Sequence, residues 1–140
     1  MAGAFIAVLT GASSGIGEAT ARRLAREPGA QLVLVARREE RLAALARELG
    51  EASVLPLDIT QPDAPGRIRE LLERDHGGEL HLLINNAGAS WRGTFAETGW
   101  ANVERHMKLN FEAPVRVIEA LLPLLRRTAQ KQSGAPVAIV

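Results

Sequence analysis

"LTGASSGIGEA" (residues 9–19) sets three glycines and two serines between an apolar run and an alanine-rich stretch. Gly11, Gly15 and Gly17 thus follow a segment that reads as a strand and open one of helical period. Glycine permits a tight turn, lets backbone amides approach a ligand and brings a helix close to a sheet. The unbonded amides and the positive end of the helix then converge on one spot, which suits a phosphate. Side-chain bulk there would block the ligand. A glycine-rich turn with no ligand accounts for the same residues taken alone. The spacing G-x-x-x-G-x-G also differs from G-x-G-x-x-G and lacks the G-K-[ST] ending of a nucleotide-hydrolysing loop.

Outward from this stretch, apolar runs recur at 4–9, 31–35, 53–57, 81–84 and 136–140, which implies five strands. Segments of helical period lie between them. Leu42, Leu45, Ala46 and Leu49 fall at i, i+3, i+4 and i+7 before Gly50 stops the helix. Ile16, Thr20 and Leu24 form one row, Ile68, Leu71 and Leu72 one face, and the Gly77-Gly78 pair a helix stop. Alternating strands and helices need crossover connections, so neighbouring strands are parallel and helices cover both faces. The expected fold is α/β: a doubly wound parallel sheet of Rossmann type, with residues 1–140 as one unit. The last helical region, roughly 100–130, contains Pro114 and Pro123. Pro114 has no amide for the carbonyl of Asn110, so a continuous helix should kink there.

Composition narrows the function. With 140 residues and 46% hydrophobic content, the chain has material for a real core. The net charge of +1 comes from interleaved acids and bases, so no one-signed face invites nucleic acid or an anionic membrane. Anionic small molecules remain. Cysteine is absent, which removes disulfides, thiolate metal sites and cysteine nucleophiles, and fits a reducing, cytoplasmic setting. No stretch approaches the ~20 apolar residues of a membrane span. The short apolar N-terminus lacks a basic flank and reads as the first strand. His76, His81 and His106 have no regular ligand spacing, so no metal site is expected.

With "TGASSGIG" (10–17), the chain resembles the short-chain dehydrogenase/reductase family at that family's glycine fingerprint. Three further matches follow in order: "LDIT" (57–60) after the third strand, "NNAG" (85–88) after the fourth, and Asn110 in "KLNFEAP" on the long helix. The resemblance covers the whole chain. It implies that Gly11, Ser13, Ser14, Gly15, Ile16 and Gly17 hold a dinucleotide, with Asp58 and Ile59 near its adenine. It further implies that Asn86, Ala87 and Gly88 line the groove, and that Asn110 belongs to both the cofactor site and the catalytic set.

The choice of dinucleotide falls about twenty residues past the last glycine, where an acid would bind the ribose hydroxyl of NAD. Ala36, Arg37 and Arg38 stand there instead. A guanidinium suits the 2′-phosphate, and a charge-assisted contact of roughly 1.5–3 kcal/mol would discriminate about ten- to a hundredfold. NADP(H) is therefore expected over NAD(H), with Arg37 the better candidate and Glu39 and Glu40 following at the helix start.

In the resembled family a tyrosine, helped by a lysine four residues later, serves as acid or base, and a serine polarises a carbonyl or alcohol substrate. This sequence contains no tyrosine. Asn110 is the one member of that set to carry over. The expectation is the N-terminal, cofactor-binding portion of an NADP-dependent oxidoreductase, with the C-terminal part of the fold missing and the isolated chain inactive. A non-catalytic dinucleotide-binding or regulatory module, or an inactive gene fragment, reads the same residues differently. His106, one turn before Asn110, is a substitute base on paper, though a lone helix histidine is more often a packing residue. Trp91 and Arg92, just past "NNAG", either border a substrate or, as the preferred reading, form a surface loop. Through the family, a homo-oligomer would form along the long helix, with Leu121, Leu122, Leu124 and Leu125 as candidates, although ordinary packing against the sheet explains some of them equally well.

Overall fold

The computed structural model describes residues 3–50, 52–131 and 136–140. Strands β1 (Phe5–Thr10), β2 (Ala30–Ala36), β3 (Ala52–Pro56), β4 (Leu82–Ile84) and β5 (Ala138–Ile139) alternate with helices. The helices are α1 (Gly15–Leu24), α2 (Glu39–Leu49), α3 (Ala64–Asp75), α4 (Phe95–Met107) and α5 (Ala113–Lys131), with a π turn at Lys108–Glu112 joining the last two. The sheet is parallel throughout, in the order β3-β2-β1-β4-β5. Because the order turns back at β1, the carboxyl ends of β1 and β4 flank a crevice where such sheets take ligands.

Two apolar clusters cover the two faces. Ile6, Val8, Val33 and Val35 meet α3 and α5 through Ile68, Leu72, Val117, Leu121 and Leu124. Ala7, Leu9, Leu32 and Leu34 meet α1 and α2 through Ala21, Leu42 and Leu45. Strand residues alternate between these clusters because side chains of a strand point to opposite faces in turn.

Helix α1 departs from the expected row of Ile16, Thr20 and Leu24. Its buried residues are Gly17 and Ala21, while Ile16 is 79% exposed. Small side chains let the helix lie close on the sheet, and the large aliphatic is turned out toward the crevice. The expected stop after α3 is present: Gly77 and Gly78 both have positive φ, and the Gly78 amide donates to the Leu72 carbonyl at 2.9 Å. Around Pro114 the helix stays continuous by widening. The Ala113 amide bonds the Lys108 carbonyl, five residues back, so the missing proline amide is absorbed by a π turn. The backbone does break inside α4, at Gly99 (φ 60°, ψ −163°).

Candidate cofactor site

The cleft at the carboxyl ends of the strands has a volume of about 520 Å³, within the range of small-molecule sites. Its floor is the glycine stretch. The first turn of α1 presents its amides there with no side chain capping them. Gly15 has φ +55° and nothing within 4 Å of a would-be Cβ, so open space lies before it. Gly11 and Gly17 are closed instead. A Cβ on Gly17 would lie 2.1 Å from the Gly11 carbonyl oxygen, and one on Gly11 would lie 2.9 Å from the Ala87 Cα. One glycine thus leaves the space before the helix open, and two allow turn, helix and the 85–88 segment to touch. A bare, amide-lined cradle of this kind fits a phosphate-bearing nucleotide.

Thr10 organises the approach. Its buried hydroxyl accepts hydrogen bonds from the amides of Asn86 (3.1 Å) and Ala87 (3.0 Å) and donates to the Ile84 carbonyl. The Asn86 side-chain amide donates to the Gly11 carbonyl at 3.2 Å. Two motifs 75 residues apart are thereby fastened into one rim. Threonine at the end of the first strand was the available signal for this role.

On the β2 side, Arg38 donates to the buried Ser13 hydroxyl at 3.2 Å, which ties it to the glycine loop. Arg37 is exposed and lines the cleft. Partial burial raises the Asp58 carboxyl, but the hydroxyl and amide of Thr60 (2.7 and 2.9 Å) and the charge of Arg37 outweigh it. The net effect holds Asp58 below its ordinary range. Among the expected residues, Gly11, Ser13, Ser14, Ile16, Arg37, Arg38, Asp58, Ile59, Asn86, Ala87 and Gly88 line the cleft. Gly15, Gly17 and Asn110 are not among the lining residues; Gly17 is buried, whereas Gly15 and Asn110 are exposed.

Asn110 braces rather than lines. Its Oδ1 accepts from the Ala89 amide (3.0 Å) and its Nδ2 donates to the Ala89 carbonyl (2.8 Å), so both polar ends are committed. A Cβ on Gly88 would sit 3.0 Å from that Oδ1. The π turn is what brings Asn110 to this segment. His106 is not poised as a base. Its Nε2 accepts from the Trp91 amide (2.9 Å), and Nδ1 lies 2.7 Å from the Asn102 carbonyl oxygen, a pattern that requires the neutral Nδ1–H form.

Trp91 stays in a loop, but it faces the cleft, as the alternative of a residue bordering a substrate would have it. It is half-buried, lines the cleft and stacks edge-on to His106, with the Arg105 guanidinium 4.0 Å over its ring. Arg92 is exposed, as a loop residue should be. Arg105 and Lys108 join Trp91 in the cleft, and no local spacing announced those two.

Of the two readings of the α5 leucines, packing holds for Leu121, Leu124 and Leu125, all three buried against the sheet. The exposed apolar stripe on the long helix is Trp100, Val103, Met107, Phe111 and Val115. Among the described residues, no three His, Asp or Glu side chains gather as a metal site, and no helix is long and apolar enough to cross a membrane.

Known proteins resemble this chain in sequence and fold. A family model described as short chain dehydrogenase matches residues 5–140. The chain is 43% identical over 122 residues to a fatty acyl-CoA reductase of Mycobacterium tuberculosis, covering 83% of this chain and 41% of that protein. It is 40% identical over 126 residues to a fatty acyl-CoA reductase of Acinetobacter baylyi, covering 84% and 41%. The crystal structure of L-sorbose reductase from Gluconobacter frateurii, complexed with NADPH and L-sorbose, superposes with a TM-score of 0.83 at 33% identity, over 89% of this chain and 49% of that one. The chain spans about half the length of these proteins. With the family model matched across residues 5–140, the chain belongs to the short-chain dehydrogenase family.

Proposed function

We propose that this chain holds NADP(H) and forms the cofactor-binding portion of a reductase that moves hydride between the nicotinamide and a carbonyl or alcohol substrate. One observation carries this reading. An uncapped, glycine-lined amide end shares a single cleft with Arg37 and Arg38, at the position where an acid would favour NAD. The NADPH in the related L-sorbose reductase supports the same cofactor. When bound, the nicotinamide supplies the hydride chemistry. The chain's residues bind and orient. The α1 amides face the pyrophosphate, Arg37 takes the 2′-phosphate while Arg38 steadies the loop through Ser13, and Asp58 and Ile59 flank the adenine. Asn110 keeps Gly88 and Ala89 in line. With no tyrosine in the sequence, these 140 residues do not provide the family's proton donor, and they are expected to bind without turning over substrate.

The partner we assign to the apolar stripe is a second copy of the chain. Five side chains at helical spacing leave an unpaired band that a two-fold antiparallel pairing would bury. A reducing, cytoplasmic setting is the one that the cysteine-free sequence supports.

The cofactor reading is tested by melting the chain with NADPH or NADH. A ligand at about 100 times its Kd stabilises by about 2.7 kcal/mol, which for a chain of this size is about 5–10 °C. NADPH should give that shift at concentrations about ten- to a hundredfold below NADH, and Arg37→Ala should erase the difference. No shift with saturating NADPH, or equal affinities in the wild type, refutes it. Carbonyl reduction by homogeneous chain at ordinary enzyme rates refutes the expected lack of turnover.

A further inference from the structure

We infer that Arg105 and Lys108, on the α4 wall of the cleft, are capture residues that speed association of the anionic dinucleotide without choosing between NADP(H) and NAD(H). The inference rests on the reading above that this cleft is the dinucleotide site.

Lys108 has two acids at helical distance, Glu104 four residues before it and Glu112 four after. Among the described residues it pairs with neither, and Glu112 pairs with Arg116 at 3.6 Å. Lys108 is among the residues that line the cleft. Arg105, one turn earlier, also has no acidic partner among the described residues. It is ordered by Trp91 beneath it and by a 3.2 Å hydrogen bond to the Asn102 Oδ1. Asn102 in turn donates to the Trp91 carbonyl at 3.0 Å, so the whole corner is latched.

Ordering a long cation costs side-chain entropy, and two like charges three residues apart on a helix repel. Cations at a helix end would complement its carbonyls, but this helix runs on through the π turn into α5, leaving no such end. An incoming anion is what the arrangement lacks. Four cations, Arg37, Arg38, Arg105 and Lys108, line a cleft that holds one carboxylate, Asp58, in a chain whose net charge is only +1. A cleft of one sign focuses the field and raises association rates. Arg37 and Arg38 sit between β2 and α2, whereas Arg105 and Lys108 belong to α4 and the π turn. The second pair is therefore away from the β2 position that distinguishes the two cofactors and acts on the rate.

Stopped-flow NADPH fluorescence tests this at low (about 10 mM) and high (about 1 M) ionic strength, where the screening length falls from about 30 to about 3 Å. The double substitution Arg105→Gln with Lys108→Gln should slow association about three- to tenfold at low salt and leave it unchanged at high salt. Dissociation and the NADPH:NADH preference should stay as in the wild type. Lys108→Gln alone, which removes no bond of the fold, should slow association about two- to threefold, and Arg105→Lys should restore most of the arginine's share. An unchanged rate at low salt, a loss that persists at high salt, or an altered NADPH:NADH preference overturns the inference. If the wild-type chain binds no NADPH, both this inference and the cofactor reading fall; if it binds with an unaltered rate in the double variant, only this one does.

Discussion

Gly17→Ala places a methyl group where the first helix meets the turn before it. The new Cβ would lie 2.1 Å from the Gly11 carbonyl oxygen, 2.5 Å from the Asn86 Nδ2 and 2.9 Å from the Gly11 carbonyl carbon. Two of those atoms are backbone, so relief requires α1 to withdraw from the turn by about 1 Å, an overpacking that costs about 1–3 kcal/mol. The shift also breaks the hydrogen bond from Asn86 to Gly11, worth about 1 kcal/mol. Alanine's better helix propensity returns about 1 kcal/mol. The net loss is about 1–3 kcal/mol, or about 2–12 °C in Tm for a chain of this length. Gly15→Ala is the internal control. It meets no atom within 4 Å and suffers only from its positive φ, at about 1–2 kcal/mol. Thermal melts by circular dichroism, with and without NADPH, separate the two. Gly17→Ala should lose its NADPH-induced shift through displacement of the 85–88 segment as well as lower the Tm. A Gly17→Ala chain that melts within 2 °C of wild type and keeps that shift would refute the close-contact account.

Two further outcomes follow from the geometry. Burial pushes the His76 imidazole below its ordinary range, against the opposing charge of Asp75, while its Nδ1 faces Gln31 at 3.1 Å. The unfolded chain then binds this proton more readily, so stability is lost as pH falls from about 6.5 toward the lower folded value; Tm measured from pH 8 to 5 should decline less in His76→Gln, and equal declines would count against it. For the apolar stripe, Phe111→Glu should shift the chain toward monomer in sedimentation velocity, whereas Leu122→Glu, off the stripe, should alter assembly less. A wild-type chain that is monomeric at high concentration would remove the second copy as the partner.

Most of the architecture was legible in local pattern. Glycine spacing after an apolar run, five short apolar segments and the i, i+3, i+4 rows of α2 and α3 all concern residues within a turn or a strand of one another. Such patterns follow from backbone geometry alone. The π turn was half legible: Pro114 announced a missing amide, but whether the helix bends or widens depends on what holds Asn110, and that is Ala89, 21 residues away.

The sequence by itself determined the alternation that makes the sheet parallel, the bare amide end of α1, the two arginines after β2 and the lack of a tyrosine. Tertiary structure alone decided which side chains meet. It fastened Thr10 to Asn86 and Ala87, turned Ile16 outward so that Gly17 and Ala21 could seat the helix, and buried Leu121 and Leu124 while baring Trp100 and Phe111. It also set Trp91, Arg105 and Lys108 into the cleft. The physical reason is one of range: hydrogen-bonded turns and side-chain periodicity act over a few residues, whereas packing and hydrogen bonding in the folded chain join residues far apart in sequence, such as Ala87 and Thr10 at 77 positions, and no local pattern encodes that outcome.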